Sequence, residues 1–208
     1  MRIVENMGNW VYAEVVQVME ILVLDIECGN IDPRKGITVE NDVICELGIV
    51  KLDLETGITE AMLAETCKES NICHPESWIF HNSSLSLDEV MSSSDLSSMR
   101  ATIQELFNHY PVTAWNQNYD FPRLEHQSRG LVIHKKYWDP MIELTDYLKL
   151  PKTRGIGYKW PKLAEAYSYM FGDPSPRSHR ALDDAKDASD VMYQAINRWP
   201  NLLELNPI

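Results

Sequence analysis

The sequence predicts an α/β domain, a mixed five-stranded sheet flanked by helices, with a short N-terminal extension. Three observations predict it. Strand-like apolar runs come first along the chain, and strands then alternate with amphipathic helical segments. The first run, Ile21–Leu24, is continuously apolar, as a strand buried on both faces must be. The 208 residues, 44% hydrophobic and 24% charged, have the size and composition of one globular domain that needs no disulfide or metal to fold.

Each element has its own signal. Residues 1–18 read as an extension to which no structure is assigned, and 19–208 as the compact domain. Val43–Leu54 is β-branched and alternates in part, and Glu55-Thr56-Gly57 reads as a hairpin turn into a third strand, Ile58–Thr66. Leu87–Tyr110 carries two helical segments, with Ile103, Leu106 and Phe107 on one face. Val112–Trp115 is the fourth strand. Phe121–Arg129 follows as a helix with Pro122 in its first turn. Tyr137–Trp138 is the fifth strand, and Asp139 caps a helix running to Leu150. Trp160–Phe171 is a helix closed by Gly172. The last helix, Asp183–Trp199, buries a stripe of Ala185, Ala188, Met192 and Ala195.

Charge and cysteine usage narrow the function classes. Formal net charge is −12, which argues against holding nucleic acid through bulk positive charge. The charge is uneven: residues 1–100 hold 6 Lys+Arg against 18 Asp+Glu, whereas 121–180 hold 11 against 6. No apolar run is long enough to span a bilayer, so no membrane association is expected. The 4 cysteines form no CxxC, and Cys67, Cys73, His74 and His81 fit no standard zinc spacing. Reduced thiols and no recognisable signal peptide lead to the expectation of a cytoplasmic protein.

Three places put acids where a metal ion could be held. Asp25-Ile26-Glu27 ends the first strand, and side chains two apart on a strand share a face. Two parallel carboxylates repel, and a divalent cation relieves this. Asp120 lies at a strand-to-helix junction in Asn116-Gln117-Asn118-Tyr119-Asp120, where the helix N-terminus favours an anion or where it is a plain cap. His179 and Asp184 sit at the start of the last helix. Histidine is the side chain whose unperturbed pKa suits proton abstraction near neutrality. Asp183, Asp187 and Asp190 recur at helical spacing as a solvated acidic stripe, which leaves Asp184 facing inward.

In this order, these motifs resemble the DEDDh family of 3′–5′ exonucleases, the proofreading epsilon-subunit-like enzymes with a ribonuclease H-like fold. The resemblance covers roughly residues 20–198, and Lys159-Trp160-Pro161-Lys162-Leu163 also looks like the family's stretch before the last motif. It implies catalytic residues Asp25, Glu27, Asp120, His179 and Asp184. Asp25, Glu27 and Asp184 would hold one Mg²⁺ or Mn²⁺, Asp25 would bridge to a second, Asp120 would support that one, and His179 would be the general base. It implies a single-stranded 3′ end as substrate, DNA slightly ahead of RNA, with nucleoside 5′-monophosphate as product, and it admits a polymerase partner. Where the family often has Thr-Thr-Gly after acid-x-acid, this chain has Cys28-Gly29-Asn30. By the same likeness Cys28, Gly29, His81, Leu85 and Asn116 are expected to touch substrate, and Trp115 is expected in the core. The competing reading, a catalytically idle binding or proofreading-accessory module on the same fold, is disfavoured because all five motif residues are present.

Overall fold

The computed structural model describes residues 4–6, 9–11, 20–68, 73–173 and 179–205. Of the N-terminal extension, β1 (Val4–Asn6) and β2 (Asn9–Val11) pair antiparallel, with Val4 opposite Val11, and the rest lies outside the described residues. The domain sheet has the order β5-β4-β3-β6. Its strands are β3 (Glu20–Asn30), β4 (Asp42–Asp53), β5 (Thr59–Thr66) and β6 (Val112–Ala114). β3 is central, antiparallel to β4 and parallel to β6.

The apolar run of β3 splits between two layers by the two-residue period of a strand. Leu22, Leu24 and Ile26 pack with Ile103 and Phe107 of α3 (Leu96–His109) and with Phe121 and Leu124 of α4 (Gln117–Gln127). Ile21 and Val23 face Ala188, Val191, Met192 and Ala195 of α8 (Ala181–Arg198). Phe107 is fully buried, and truncating such a ring to alanine costs about 3–5 kcal/mol. The same alternation sends Asp25 and Glu27 to the α8 side.

The sheet has four strands where five are expected. Tyr137–Trp138 makes no strand among the described residues, and only Lys136 bridges Val112. Side chains take the carbonyls that a ladder would use: the Gln117 amide donates to Tyr137 C=O (2.8 Å) and the Thr113 hydroxyl to Trp138 C=O (2.8 Å). The β4–β5 turn is where the sequence puts it, with Gly57 at φ +74 and the Asp53 carboxylate accepting from the Glu55 and Thr56 N–H groups.

Helix boundaries differ for identifiable reasons. α4 starts four residues earlier than expected, so Pro122 lies inside it. Its first N–H groups are met from outside, since Asp139 accepts from Asn116 (3.3 Å) and Gln117 (2.9 Å) while also capping α5 (Pro140–Glu143). The single helix expected over 139–150 breaks at Leu144 into α5 and α6 (Thr145–Leu148). α7 (Leu163–Phe171) starts beyond Pro161, with Glu165 closing a capping box on Lys162. Between α6 and α7 the chain turns in a hairpin, Pro151 bridging Tyr158, with Gly155 and Gly157 at positive φ in its tip. The region before α3 holds α1 (Trp78–Asn82) and α2 (Leu87–Ser92).

Candidate active site

A cleft of about 260 Å³ opens over the C-terminal half of β3 and just past the end of β6; the acids do not end their strand, since β3 runs three residues beyond Glu27 to Asn30. Asp25, Glu27, Cys28, Trp78, Trp115, Asn116, Tyr119, Asp120, His179 and Asp184 line it. All five residues of the acid-and-histidine set therefore meet, although they come from β3, α4 and the start of α8. A register shift in the β3–β4 pairing follows Glu27, so the strand twists locally just past its acids.

Each acid is positioned by a distinct device. Asp120 is not the helix cap; it lies one turn into α4, almost fully buried, and its Oδ1 accepts the Ile26 N–H (3.2 Å), which ties it to the middle of the acid-x-acid strand. α4 itself is anchored by Arg123, whose guanidinium donates to Asp42 (2.8 Å), sits 3.7 Å above the Tyr119 ring and donates to Tyr119 C=O (2.6 Å). Asp184 stands in the first turn of α8, 4.0 Å from His179 Nδ1. His179 has φ +46, a left-handed conformation for which histidine is enriched among non-glycine residues, and its ring meets Trp78 edge-on at 5.1 Å.

The start of α8 is held to β4 by a buried acid. Glu46 accepts the Arg180 Nε–H (2.8 Å) and the Ala181 N–H (2.9 Å), and Arg180 also reaches Glu89 (3.1 Å) and Ser84 (3.3 Å). Gly48, opposite Asp25 in the β3–β4 register, lets the helix lie directly on the strand: a Cβ there would stand 2.4 Å from the Ala181 carbonyl carbon. Backbone on both sides cannot yield, so Gly48→Ala is expected to lift α8. Overpacking of this kind costs about 1–3 kcal/mol, a fall of about 3–10 °C in the thermal midpoint at this size, with turnover falling alongside. A variant with unchanged midpoint and rate would refute the close approach.

The electrostatics are those of crowded anions. Burial pushes the Asp25 carboxyl up, and the charges of Asp120, Glu27, Asp184 and Glu46 push it further. Glu27 is pushed up to about 8 by burial and then by Asp184, Glu46 and Asp120, with Arg180 opposing. Asp184 is pushed up to about 6 by burial, then by Asp187, Asp183 and Glu46. Burial also raises Asp120, while the Ile26 N–H and Arg123 work against it. A divalent cation removes the repulsion that these shifts record. Ligand atoms of Glu27, His179 and Asp184 all lie within 4.8 Å of one another, close enough to surround one ion, and the remaining donors are hard carboxylate oxygens.

Several expected residues fall elsewhere. Leu85 is 2% exposed among Val43, Cys73, Ile79 and Val90, so its role is packing. His81 is exposed beside Glu76 and lies outside the cleft lining. Gly29 backs onto the core, where a Cβ would lie 1.9 Å from Cys73 Sγ; it gives room to that thiol and no face to the cleft. Cys28 and Asn116 do line the cleft. Trp115 does two jobs, packing partly into the core while its other face lines the cleft. Asp187 is buried and so does not belong to a solvated stripe, because it faces the same side of α8 as Ala188 and Val191. Glu46, Gly48 and Asp139 were not singled out by sequence for the site, and Trp78 heads the stretch to Leu85 that the family resemblance places at the terminal base, though His81 and Leu85 are the contacts it names. Glu46 had a signal: an acid alone in the apolar strand Ile44-Cys45-Glu46-Leu47-Gly48 needs a buried partner.

The family model described as "Exonuclease" matches residues 22–192. No curated protein matches the chain. Among solved structures, a 3′-exonuclease recognising the 3′ end of a histone mRNA stem-loop aligns with a TM-score of 0.70 at 13% identity, over 88% of this chain and 83% of that one. E. coli exonuclease I in complex with a dT13 oligonucleotide aligns at 0.66 and 14%, over 89% of this chain but 42% of that one. The nuclease domain of 3′hExo, a DEDDh family member bound to rAMP, aligns at 0.66 and 13%, over 88% and 94%.

Proposed function

Because the chain belongs to the exonuclease family and carries the DEDDh set of residues, we propose that it removes nucleotides one at a time from the 3′ end of single-stranded nucleic acid. Residues 19–208 are the nuclease domain of this reading, with 1–18 outside it. DNA is placed slightly ahead of RNA, and the product is a nucleoside 5′-monophosphate. The observation that carries this is the meeting of Asp25, Glu27, Asp120, His179 and Asp184 in one small cleft. Its small volume suits a single terminal nucleotide.

Asp25, Glu27 and Asp184 would hold one Mg²⁺ or Mn²⁺, with Asp25 and Asp120 supporting a second. Such ions supply charge neutralisation of the phosphodiester and stabilise the attacking and leaving oxygens. The protein's own groups do the rest. His179, steadied by the Trp78 ring edge, takes a proton from the attacking water. Water adds at phosphorus, the bond to the 3′ oxygen breaks, and that oxygen takes up a proton as the new chain end. Trp78 and Tyr119 line the pocket and offer the terminal nucleotide aromatic surface that does not select a base.

Incubation of 5′-labelled DNA and RNA oligomers with Mg²⁺ or Mn²⁺ tests the reading. Products should shorten stepwise from the 3′ end, and a 3′-phosphate should block them; internal fragments at early times would overturn it. The ion requirement has a second readout. The raised Glu27 and Asp184 carboxyls mean that the folded, metal-free protein binds more protons than the unfolded chain. Its stability should therefore fall as pH rises through the window from about 4 to about 8. Stabilisation by Mn²⁺ should grow over the same window, reaching about 2.7 kcal/mol at a hundredfold excess over Kd, and EDTA should reverse it. A thermal midpoint indifferent to Mn²⁺ at pH 8 would contradict the site.

A further inference from the structure

The hairpin between α6 and α7 carries groups that neither the fold nor the cleft uses. From Lys149 to Lys162 there are 5 cations, Lys149, Lys152, Arg154, Lys159 and Lys162, and no acid, in a chain whose net charge is −12. Lys159 pairs with Glu165; the other four make no ion pair among the described residues. Apolar side chains are exposed between them: Ile156 at 99%, Trp160 at 65% and Tyr158 at 41%. Exposed aromatics interleaved with unpaired cations mark an interaction surface rather than a solvated face.

The hairpin is joined to the cleft wall through Trp115. The Trp115 Nε1–H, from a residue lining the cleft, donates to Pro161 C=O (3.1 Å), directly beside Trp160, and Leu150 and Trp115 pack in one cluster. From the Pro151–Tyr158 bridge the tip extends about 10 Å. The opposite wall, which bears Trp78, is electrically different. Residues 73–95 hold Glu76, Asp88, Glu89 and Asp95 and no Lys or Arg, and Arg180, which reaches Glu89 and Ser84 there, is shared with Glu46. A polyanion leaving the cleft is repelled on that side and attracted on this one.

We propose that this hairpin is the track for the nucleotides preceding the 3′ end, with Lys152 and Arg154 meeting backbone phosphates and Trp160 and Tyr158 stacking on bases. The proposal rests on the nuclease reading, naming where the rest of its single-stranded substrate lies. It does not depend on cleavage for its test. Binding of a fluorescent oligothymidylate, measured by anisotropy in EDTA across a salt series, reads it directly. Lys152→Ala with Arg154→Ala should lower the salt slope of log K by about 1.4, since each single-strand phosphate contact contributes about 0.7. Trp160→Ala should weaken binding about fivefold or more at every salt concentration. With Mn²⁺ present, all three substitutions should raise KM for long oligomers and leave cleavage of a dinucleotide unchanged, because a dinucleotide does not reach the hairpin. An unchanged slope and affinity, or a wild-type protein that does not bind the oligomer, would overturn the track. So would sedimentation showing a dimer that Trp160→Ala dissociates without affecting nucleic-acid affinity. Failure of the wild type to cleave even a dinucleotide would instead strike at the nuclease reading, whatever the binding data show.

Discussion

Asp25→Ala is expected to abolish cleavage, a loss of about 10³-fold or more, while making the metal-free protein more stable. Both effects have one cause. Asp25 stands at the centre of the carboxylate group, its acid form favoured by burial and by Asp120, Glu27, Asp184 and Glu46. Removing it takes away the residue proposed to touch both ions, and divalent ions contribute several kcal/mol of transition-state stabilisation. Without metal it also takes away a charge that the fold holds against repulsion. The gain in midpoint should grow as pH rises above the ordinary carboxylate range, because the unfolded chain ionises Asp25 there while burial and the neighbouring acids oppose its ionisation in the folded protein. A variant with wild-type turnover would end the assignment, and one that lost activity by unfolding would show a lowered midpoint instead.

The second large effect separates His179 from the acids. As general base it contributes about 10²–10⁴ in rate, so His179→Ala should lower kcat by that factor. Its ring, however, lies in the same group of ligand atoms as Glu27 and Asp184. Mn²⁺ affinity decides between the roles. A base leaves it nearly unchanged, as read by the metal-induced shift in midpoint, whereas a ligand does not. Asp184→Asn should lose rate and affinity together. If His179→Ala loses affinity as fully as Asp184→Asn, His179 is a ligand and the base must be sought elsewhere.

The central strand, the hairpin at Gly57 and the Ala stripe of α8 were legible because local pattern and burial agree there. The acids were legible because Asp25 and Glu27 need only the two-residue period of a strand. What the sequence hid is tertiary. The true start of α4 depends on Asp139, more than twenty positions away, accepting its first N–H groups, and no local cap signals that. The fifth strand dissolved because Thr113 and Gln117 side chains compete for its carbonyls. Leu85 is expected at the substrate only through the family resemblance, which carries no information on burial, and here it packs among Val43, Ile79 and Val90. Trp78, seven positions earlier, lines the cleft because α1 turns its ring toward His179.

The clasp between Glu46 and the start of α8 also sets when the enzyme can exist. Its partners are 135 positions apart, so the contact belongs to the slow, long-range class. A chain leaving the ribosome N-terminus first exposes the β3–β4–β5 meander seconds before α8 is made. During that interval Asp25 and Glu27 are present without Asp184 or His179, so under the roles proposed for these residues the site is incomplete. The proposed site is complete only once Arg180 meets Glu46 and the last helix lies on Gly48.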